Sequence, residues 1–166
     1  MTMKNPKTCL LIIDVQTGFI NESTKHIPPL VEAAQQKYDY VVATRFFNPE
    51  NSFFRTLIKW TCFIPGSDDI PLAFHASKDA LIIDKPIYSC VSDNFIDWLR
   101  DRDITVVHIC GIDTDICVTK CAVDLFEQGV EPVILSALCA SYAGEDAHNN
   151  ALSTLERYIG KSQVRW

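Results

Sequence analysis

Residues 104–129 read ITVVHICGIDTDICVTKCAVDLFEQG, and this stretch decides the fold. It opens on an almost continuous apolar run, which is typical of a strand covered on both faces. After a short polar loop, apolar residues recur three and four positions apart, as on one face of a helix, and Gly129 gives a natural end. A buried strand that leads directly into an amphipathic helix predicts a layered α/β domain with parallel strands.

The same alternation continues on both sides of this stretch. Apolar runs predict six strands, at residues 8–14, 40–46, 80–84, 104–110, 132–135 and 163–166. Helical spacing predicts helices at residues 29–37, 94–102, 115–128 and 145–159. We therefore expect a single domain, residues 1–166, built as a Rossmann-like three-layer α/β sandwich around a six-stranded, mostly parallel sheet. Residues 48–78 lack a clear period and are expected to cross the site-bearing edge of the sheet, partly as a helix near 54–60.

Composition and charge exclude several classes of protein. The net charge is −6, whereas nucleic-acid-binding domains usually carry a basic surface. The apolar run at residues 9–13 is cut off by Asp14 and is too short for a signal-peptide core or a membrane span. The seven cysteines lie mostly in apolar runs, which is typical of buried free thiols in a reducing compartment. We expect a cytoplasmic protein with neither a nucleic-acid nor a membrane partner.

Three reactive side chains follow predicted strands. Asp14 ends the first strand, Lys85 follows the third, and Cys117 lies in the loop after the fourth. Ligands of open α/β sheets bind beyond the carboxyl ends of the strands, so these side chains are expected to converge there. Each alone has an ordinary explanation as a turn former, a surface lysine or a buried small hydrophobe. Their shared position at one edge predicts a catalytic group.

The chemistry of a thiol explains this combination of residues. A free cysteine has a pKa of about 8.5, so little thiolate is present at neutral pH. With Thr114 as helix cap, Cys117 is expected in the first helical turn, where the helix N-terminus and Lys85 would lower its pKa. Asp14 is then placed to move a proton, and backbone N–H groups of the loop would stabilise an oxyanion.

Competing cysteine chemistries fit less well. A phosphatase loop needs an arginine at position 123, which is Val123, and no pair of cysteines has the spacing of a thioredoxin centre. Cys117 and Cys121 are one helical turn apart, but no second ligand pair follows them for zinc. The four histidines are scattered along the chain, so a Cys–His dyad stays open.

The motifs at residues 10–16, 85–89, 111–118 and 139–152 resemble, in this order, those of the isochorismatase-like superfamily of cysteine hydrolases. This resemblance implies that Cys117 forms a thioester with the acyl group of the substrate. It implies that Asp14 is the general acid and base and that Lys85 holds the thiolate. It further implies a cis peptide bond between Ile112 and Asp113, and an oxyanion hole formed by the N–H groups of Asp113 and Cys117.

The resemblance also leads to expectations about metal binding, oligomeric assembly and the substrate pocket. Nicotinamidases of the superfamily that bind a metal carry an Asp-x-His…His cluster after the second strand, and residues 44–53 contain no histidine. We therefore expect the metal-free branch, with no catalytic metal and no cofactor. Related proteins assemble, which implies a homodimer or larger homo-oligomer. The pocket for a small-molecule substrate is expected to include Phe19, Arg45, Phe46, Asn48 and Trp60.

The leading hypothesis is hydrolysis of a small-molecule amide or ureide C–N bond. Two alternatives stay open. One is hydrolysis of an isochorismate-type vinyl ether, against which the presence of Cys117 argues because known enzymes of that type need no cysteine nucleophile. The other is a catalytically silent binding scaffold with the same fold.

Overall fold

The structure, a computed structural model, describes residues 7–166, so the part of the domain prediction that covers residues 1–6 lies outside it. Six strands form one sheet in the order β3-β2-β1-β4-β5-β6, and every pair is parallel. The predicted α/β fold is confirmed, and the sheet is entirely rather than mostly parallel. The strands are β1 (Cys9–Ile13), β2 (Tyr40–Phe46), β3 (Leu81–Lys85), β4 (Val106–Ile112), β5 (Glu131–Ala140) and β6 (Val164–Arg165).

The order of the strands places the site. From β1 the chain builds the sheet outward through β2 and β3, and then returns to add β4 on the other side of β1. The carboxyl ends of β1 and β4 therefore border the crevice where the winding direction changes, which is the usual ligand position in such sheets. All five residues of β1 are buried, as a strand covered on both faces requires.

In the described part of the chain five α-helices accompany the sheet, and their bounds differ slightly from the predicted ones. They are α1 (Ile27–Ala34), α2 (Phe53–Thr56), α3 (Asp93–Arg100), α4 (Thr119–Glu127) and α5 (Glu145–Ile159). The prediction for α5 agrees at both ends. Helix α4 begins later than predicted because a single π-helical turn, Thr114–Val118, precedes it. Strand β5 is longer than predicted, since it continues beside β4 past a register shift that lies between positions Ile109 and Gly111 of β4.

Gly111 allows β1 and β4 to approach each other closely at the site. Its φ is +120°, and a Cβ atom there would lie 2.1 Å from the carbonyl oxygen of Ile13. Only glycine fits this position, because any side chain would collide with the backbone of β1. The loop after β4 is thereby held against the end of β1, next to Asp14.

Across residues 7–166, none of the helices has both the length and the apolar character needed to cross a membrane.

Candidate active site

Asp14, Lys85 and Cys117 meet at the carboxyl edge of the sheet. Lys85 Nζ donates to Asp14 Oδ2 at 2.6 Å and lies 3.7 Å from Cys117 Sγ. Their exposed fractions are only 0%, 3% and 6%, so the ion pair and the sulfur are largely shielded from water. The fold therefore brings together three side chains that are far apart in the sequence, at the strand ends where they were expected.

Asp14 is held in place by Thr44 of β2. Thr44 Oγ1 donates to Asp14 Oδ1 at 2.6 Å and accepts from the Asp14 backbone N–H at 3.1 Å. Asp14 has a φ of +46°, a left-handed conformation that residues other than glycine adopt mainly where neighbours hold them. Thr44 was not predicted from the sequence. Its signal is a hydroxyl that directly follows the apolar run at residues 41–43 of β2.

The Lys85 ammonium is held by three oxygen atoms. Besides Asp14 Oδ2, it donates to the carbonyl oxygens of Ile87 and Tyr88 at 3.1 and 2.9 Å. Burial has the largest single effect and alone would lower the pKa of Lys85, but Asp14, with smaller effects from Cys117 and Cys121, together outweighs it and holds the pKa above its ordinary value. Lys85 is therefore a fixed positive charge beside the sulfur.

The state of Cys117 differs from the expectation. Thr114 is not the cap of an α-helix, and Cys117 lies in the π-helical turn Thr114–Val118 before α4. Burial raises the pKa of the Cys117 thiol well above its ordinary value, the Asp14 charge adds to this, and Lys85 only partly opposes it. The expected lowering of the Cys117 pKa is therefore wrong, because removing the sulfur from water costs more than one nearby ammonium returns. The higher pKa favours the neutral thiol over the thiolate.

The loop before Cys117 is fastened at several points. The peptide bond between Ile112 and Asp113 is cis. Asp113 Oδ1 accepts from the Tyr142 backbone N–H at 2.6 Å. Thr114 Oγ1 lies 2.7 Å from His148 Nδ1 on α5. These bonds connect the turn that carries the sulfur to Tyr142, which follows β5, and to His148 of α5.

The Asp113 carboxyl titrates near neutrality. Burial raises its pKa from 3.8 to about 7, the Tyr142 N–H opposes this, and the carboxylates of Asp115 and Asp14 add to it. In the unfolded chain the carboxyl ionises near pH 3.8, whereas in the folded protein it keeps its proton up to about pH 7. Folding stability is therefore unaffected by this group at low pH, falls as pH rises between these values, and is lowest above them.

We expect Asp113→Asn to gain stability relative to the wild type as the pH rises. The amide cannot ionise, so the variant avoids the penalty of a buried carboxylate, a change of about 2–4 kcal/mol between pH 4 and pH 8. Urea unfolding of both proteins at several pH values measures it. A stability difference that is equal at pH 4 and pH 8 contradicts the assigned titration.

A cavity of about 300 Å³ lies above the sulfur. Its wall contains Cys117, Asp113 and a set of aromatic side chains: Phe19, Phe46, Phe54, Trp60, Phe63, Tyr88 and Tyr142. Three of the predicted pocket residues, Phe19, Phe46 and Trp60, are therefore in the wall. The other four were not predicted: Phe54 and Phe63 come from residues 48–78, where the sequence shows no period, and Tyr88 and Tyr142 come from the segments that follow β3 and β5.

Two predicted pocket residues, Arg45 and Asn48, lie outside the cavity wall. Arg45 pairs with Asp84 across β2 and β3 at 2.7 Å on the surface, because alternate residues of a strand point to opposite faces. The buried amide of Asn48 donates to the carbonyl oxygens of Trp60 and Cys62 at 2.9 and 3.1 Å. These corrections leave the cavity wall more apolar than the sequence suggested.

The described residues do not fit a metal centre at this site. Between residues 7 and 166, no three histidine, cysteine or carboxylate side chains are grouped so that they could hold a metal ion. After β2, where some nicotinamidases carry metal ligands, Asn48 instead accepts from Ser52 Oγ and binds two carbonyl groups.

Comparison with known proteins gives consistent matches. The family model for the isochorismatase domain matches residues 8–163. An uncharacterized isochorismatase family protein, PncA of Bacillus subtilis (strain 168), is 34% identical, and the match covers 90% of this chain and 79% of the relative. Nicotinamidase/pyrazinamidase of Mycobacterium tuberculosis is 29% identical, with 82% and 88% covered. The crystal structure of nicotinamidase PncA from Bacillus subtilis superposes with a TM-score of 0.82 at 27% identity, covering 96% of this chain and 99% of that one.

Proposed function

This chain belongs to the isochorismatase family, and on that premise we propose that it hydrolyses a small-molecule amide or ureide C–N bond through a thioester on Cys117. One observation carries the proposal, namely the buried contact of Lys85 Nζ with both Asp14 Oδ2 and Cys117 Sγ beneath an aromatic cavity. The carboxylate can accept a proton, the sulfur can attack a carbonyl, and the ammonium stabilises negative charge on either.

Acylation begins from the neutral thiol. Asp14 takes the thiol proton as Cys117 Sγ attacks the substrate carbonyl carbon, so the buried thiolate never has to exist at rest. We assign the stabilisation of the resulting oxyanion to the backbone N–H groups of Asp113 and Cys117. Asp14 then gives the proton to the leaving nitrogen, the C–N bond breaks, and an amine or ammonia departs from the acyl-enzyme.

Deacylation uses the same groups in reverse. Asp14 takes a proton from water, whose oxygen attacks the thioester carbonyl carbon. The C–S bond breaks, the acid leaves, and the proton returns from Asp14 to Cys117 Sγ. Lys85 stays positive throughout because its pKa lies above the ordinary value. It therefore stabilises the negative charge of the Asp14 carboxylate and that of the Cys117 sulfur when the C–S bond breaks.

The composition of the cavity favours this proposal over vinyl-ether hydrolysis. Isochorismate carries two carboxylates, yet none of the described residues that line the cavity is a lysine, an arginine or a histidine. Burial of a carboxylate without a cation or several donors is costly. The aromatic walls instead suit a planar, uncharged amide of small size. If the protein hydrolyses no amide, the alternative of a catalytically silent binding scaffold is favoured.

The acyl-enzyme gives the test of the proposal. We expect that a panel of small aromatic amides and ureides contains a compound from which the protein releases ammonia or an amine. In the presence of hydroxylamine, which competes with water for a thioester, the same compound should yield a hydroxamate. Intact mass spectrometry of an acid-quenched reaction should show one acyl group, and peptide mapping should place it on Cys117. Release of ammonia with neither hydroxamate nor adduct contradicts the thioester route.

Two further proposals accompany this function. We assign the protein to the cytoplasm, which the free cysteines support, since six of the seven are buried and none is in a disulfide. We also propose that the whole chain forms one domain and that this domain assembles as a homodimer or larger homo-oligomer. The match of the family model to residues 8–163 supports the single domain.

A further inference from the structure

Within residues 7–166, the cavity above Cys117 is lined by no cationic side chain that could balance an anionic substrate. No described lysine, arginine or histidine is in its wall, and the Lys85 ammonium is already bound to Asp14 and two carbonyl oxygens. The Asp14–Lys85 pair is neutral as a unit. The charge that a substrate meets in the cavity therefore comes from another residue of the wall.

That residue is Asp113. It is 9% exposed and lines the cavity together with Tyr142, whose backbone N–H is bound to Asp113 Oδ1. Among residues 7–166, Asp113 Oδ2 has no hydrogen-bond partner. Two side-chain atoms in this part of the chain, Arg55 Nε and Ser67 Oγ, are fully buried without a hydrogen-bond partner, and Asp113 Oδ2 is not one of them. Asp113 Oδ2 is thus an unused acceptor that solvent reaches.

The aromatic wall favours the same kind of ligand. The rings of Phe46 and Trp60 lie 5.5 Å apart and nearly parallel, and those of Phe19 and Phe63 stack at 4.2 Å. The face of an aromatic ring attracts cations and N–H groups. Lys85 Nζ already lies 5.6 Å from the Phe46 ring, so this wall is compatible with a positive charge close by.

We propose that Asp113 is a specificity-determining residue whose carboxylate accepts a hydrogen bond from an amino or other N–H-bearing group of the substrate, so that the site takes neutral or cationic amides and rejects those that carry a carboxylate. This inference rests on the proposed amide hydrolysis at Cys117. It assigns to the Asp113 side chain a role separate from that of its backbone N–H. The substrate class is an aromatic or apolar amide with an N–H donor and no acid group.

Three probes of similar shape test the charge preference. They are aminomethyl-, hydroxymethyl- and carboxy-benzamide, each as the meta and para isomers, assayed by ammonia release at about pH 8, above the pKa of Asp113. For the wild type we expect kcat/KM for the cationic probe to exceed that for the anionic probe by about 100-fold. Asp113→Asn should reduce that ratio by about 10-fold or more. Because every probe reacts at the same amide, the ratio cancels any general loss of activity in the variant.

Asp115→Asn is the matched control. It removes the same charge two residues away, and Asp115 is bound to Ser141 Oγ and does not line the cavity. The ratio should change much less in this variant than in Asp113→Asn. A ratio that is unchanged in Asp113→Asn, or that changes equally in both variants, overturns the inference, since the first denies any effect of the carboxylate and the second indicates a diffuse field.

A binding measurement separates this inference from the proposed function. If none of the probes is hydrolysed, calorimetric titration of the wild type and Asp113→Asn with benzylamine and with benzoate still tests the cavity. Tighter binding of benzylamine by the wild type, reduced in Asp113→Asn, supports charge selection while amide hydrolysis fails. Binding of benzoate as tight as that of benzylamine overturns charge selection, whatever the activity.

Discussion

Cys117→Ala is expected to lower kcat/KM for amide cleavage by about 10⁴-fold or more, because Cys117 is the thiol beside the Asp14–Lys85 pair, whereas Cys62, which also lines the cavity, is not bound to that pair. The substitution replaces a small buried group by a slightly smaller one, so the fold should persist. Ammonia release and hydroxamate formation, measured on the best amide of the panel, check the loss. The circular dichroism spectrum and thermal midpoint should stay near those of the wild type.

Cys9→Ala provides the matched control for Cys117→Ala. Cys9 is also buried and free, but it begins β1, at the opposite end of the strand from Asp14. Its loss should leave kcat/KM within about twofold of the wild type, since removal of a distant core sulfur acts on stability alone. Amide cleavage that survives in Cys117→Ala removes the thioester mechanism. Isochorismate cleavage that survives there favours the vinyl-ether alternative instead.

The fold could be predicted from the sequence because the apolar pattern of each element and the residues at its ends indicated the same kind of structure. Strands such as β1 consist of apolar residues only, and helices such as α5 combine a clear period with a terminal glycine, Gly160. Prediction failed where local conformation depends on distant contacts. The π-helical turn Thr114–Val118 has the same apolar spacing as the helix that follows it, so periodicity could not separate the two.

The candidate site could be predicted only in part. The strand-end rule located Asp14, Lys85 and Cys117, because it depends on topology and not on side-chain packing. The hydrogen bond from Thr44 to Asp14 depends on strand register, and those from Lys85 to the carbonyl oxygens of Ile87 and Tyr88 depend on loop conformation. The sequence reveals neither. The charge state of the thiol depends on the balance of burial against two neighbouring charges, and that balance needs coordinates.

The buried ion pair should make Lys85→Met one of the most damaging substitutions in the chain. Methionine fills a similar volume but leaves the Asp14 carboxylate buried with only the Thr44 hydroxyl and the Cys117 thiol as side-chain partners among the described residues. An uncompensated buried charge of this kind typically costs about 3–5 kcal/mol of stability. We therefore expect a loss of that size in urea unfolding, together with loss of amide cleavage. Arg100→Met, which breaks the exposed pair with Asp97, should have little effect on stability.

A double-mutant cycle then separates the buried charge from simple packing. Asparagine at position 14 tolerates the positive φ and can keep the bond to Thr44, so Asp14→Asn should cost less than Lys85→Met. In Asp14→Asn the ammonium also keeps its two carbonyl acceptors, at 3.1 and 2.9 Å. The double variant buries no charge, and we expect it to be more stable than Lys85→Met alone, although equally inactive. If the two single losses simply add, then the pair is not coupled, and the ammonium does not stabilise the Asp14 carboxylate on which the proposed proton transfer depends.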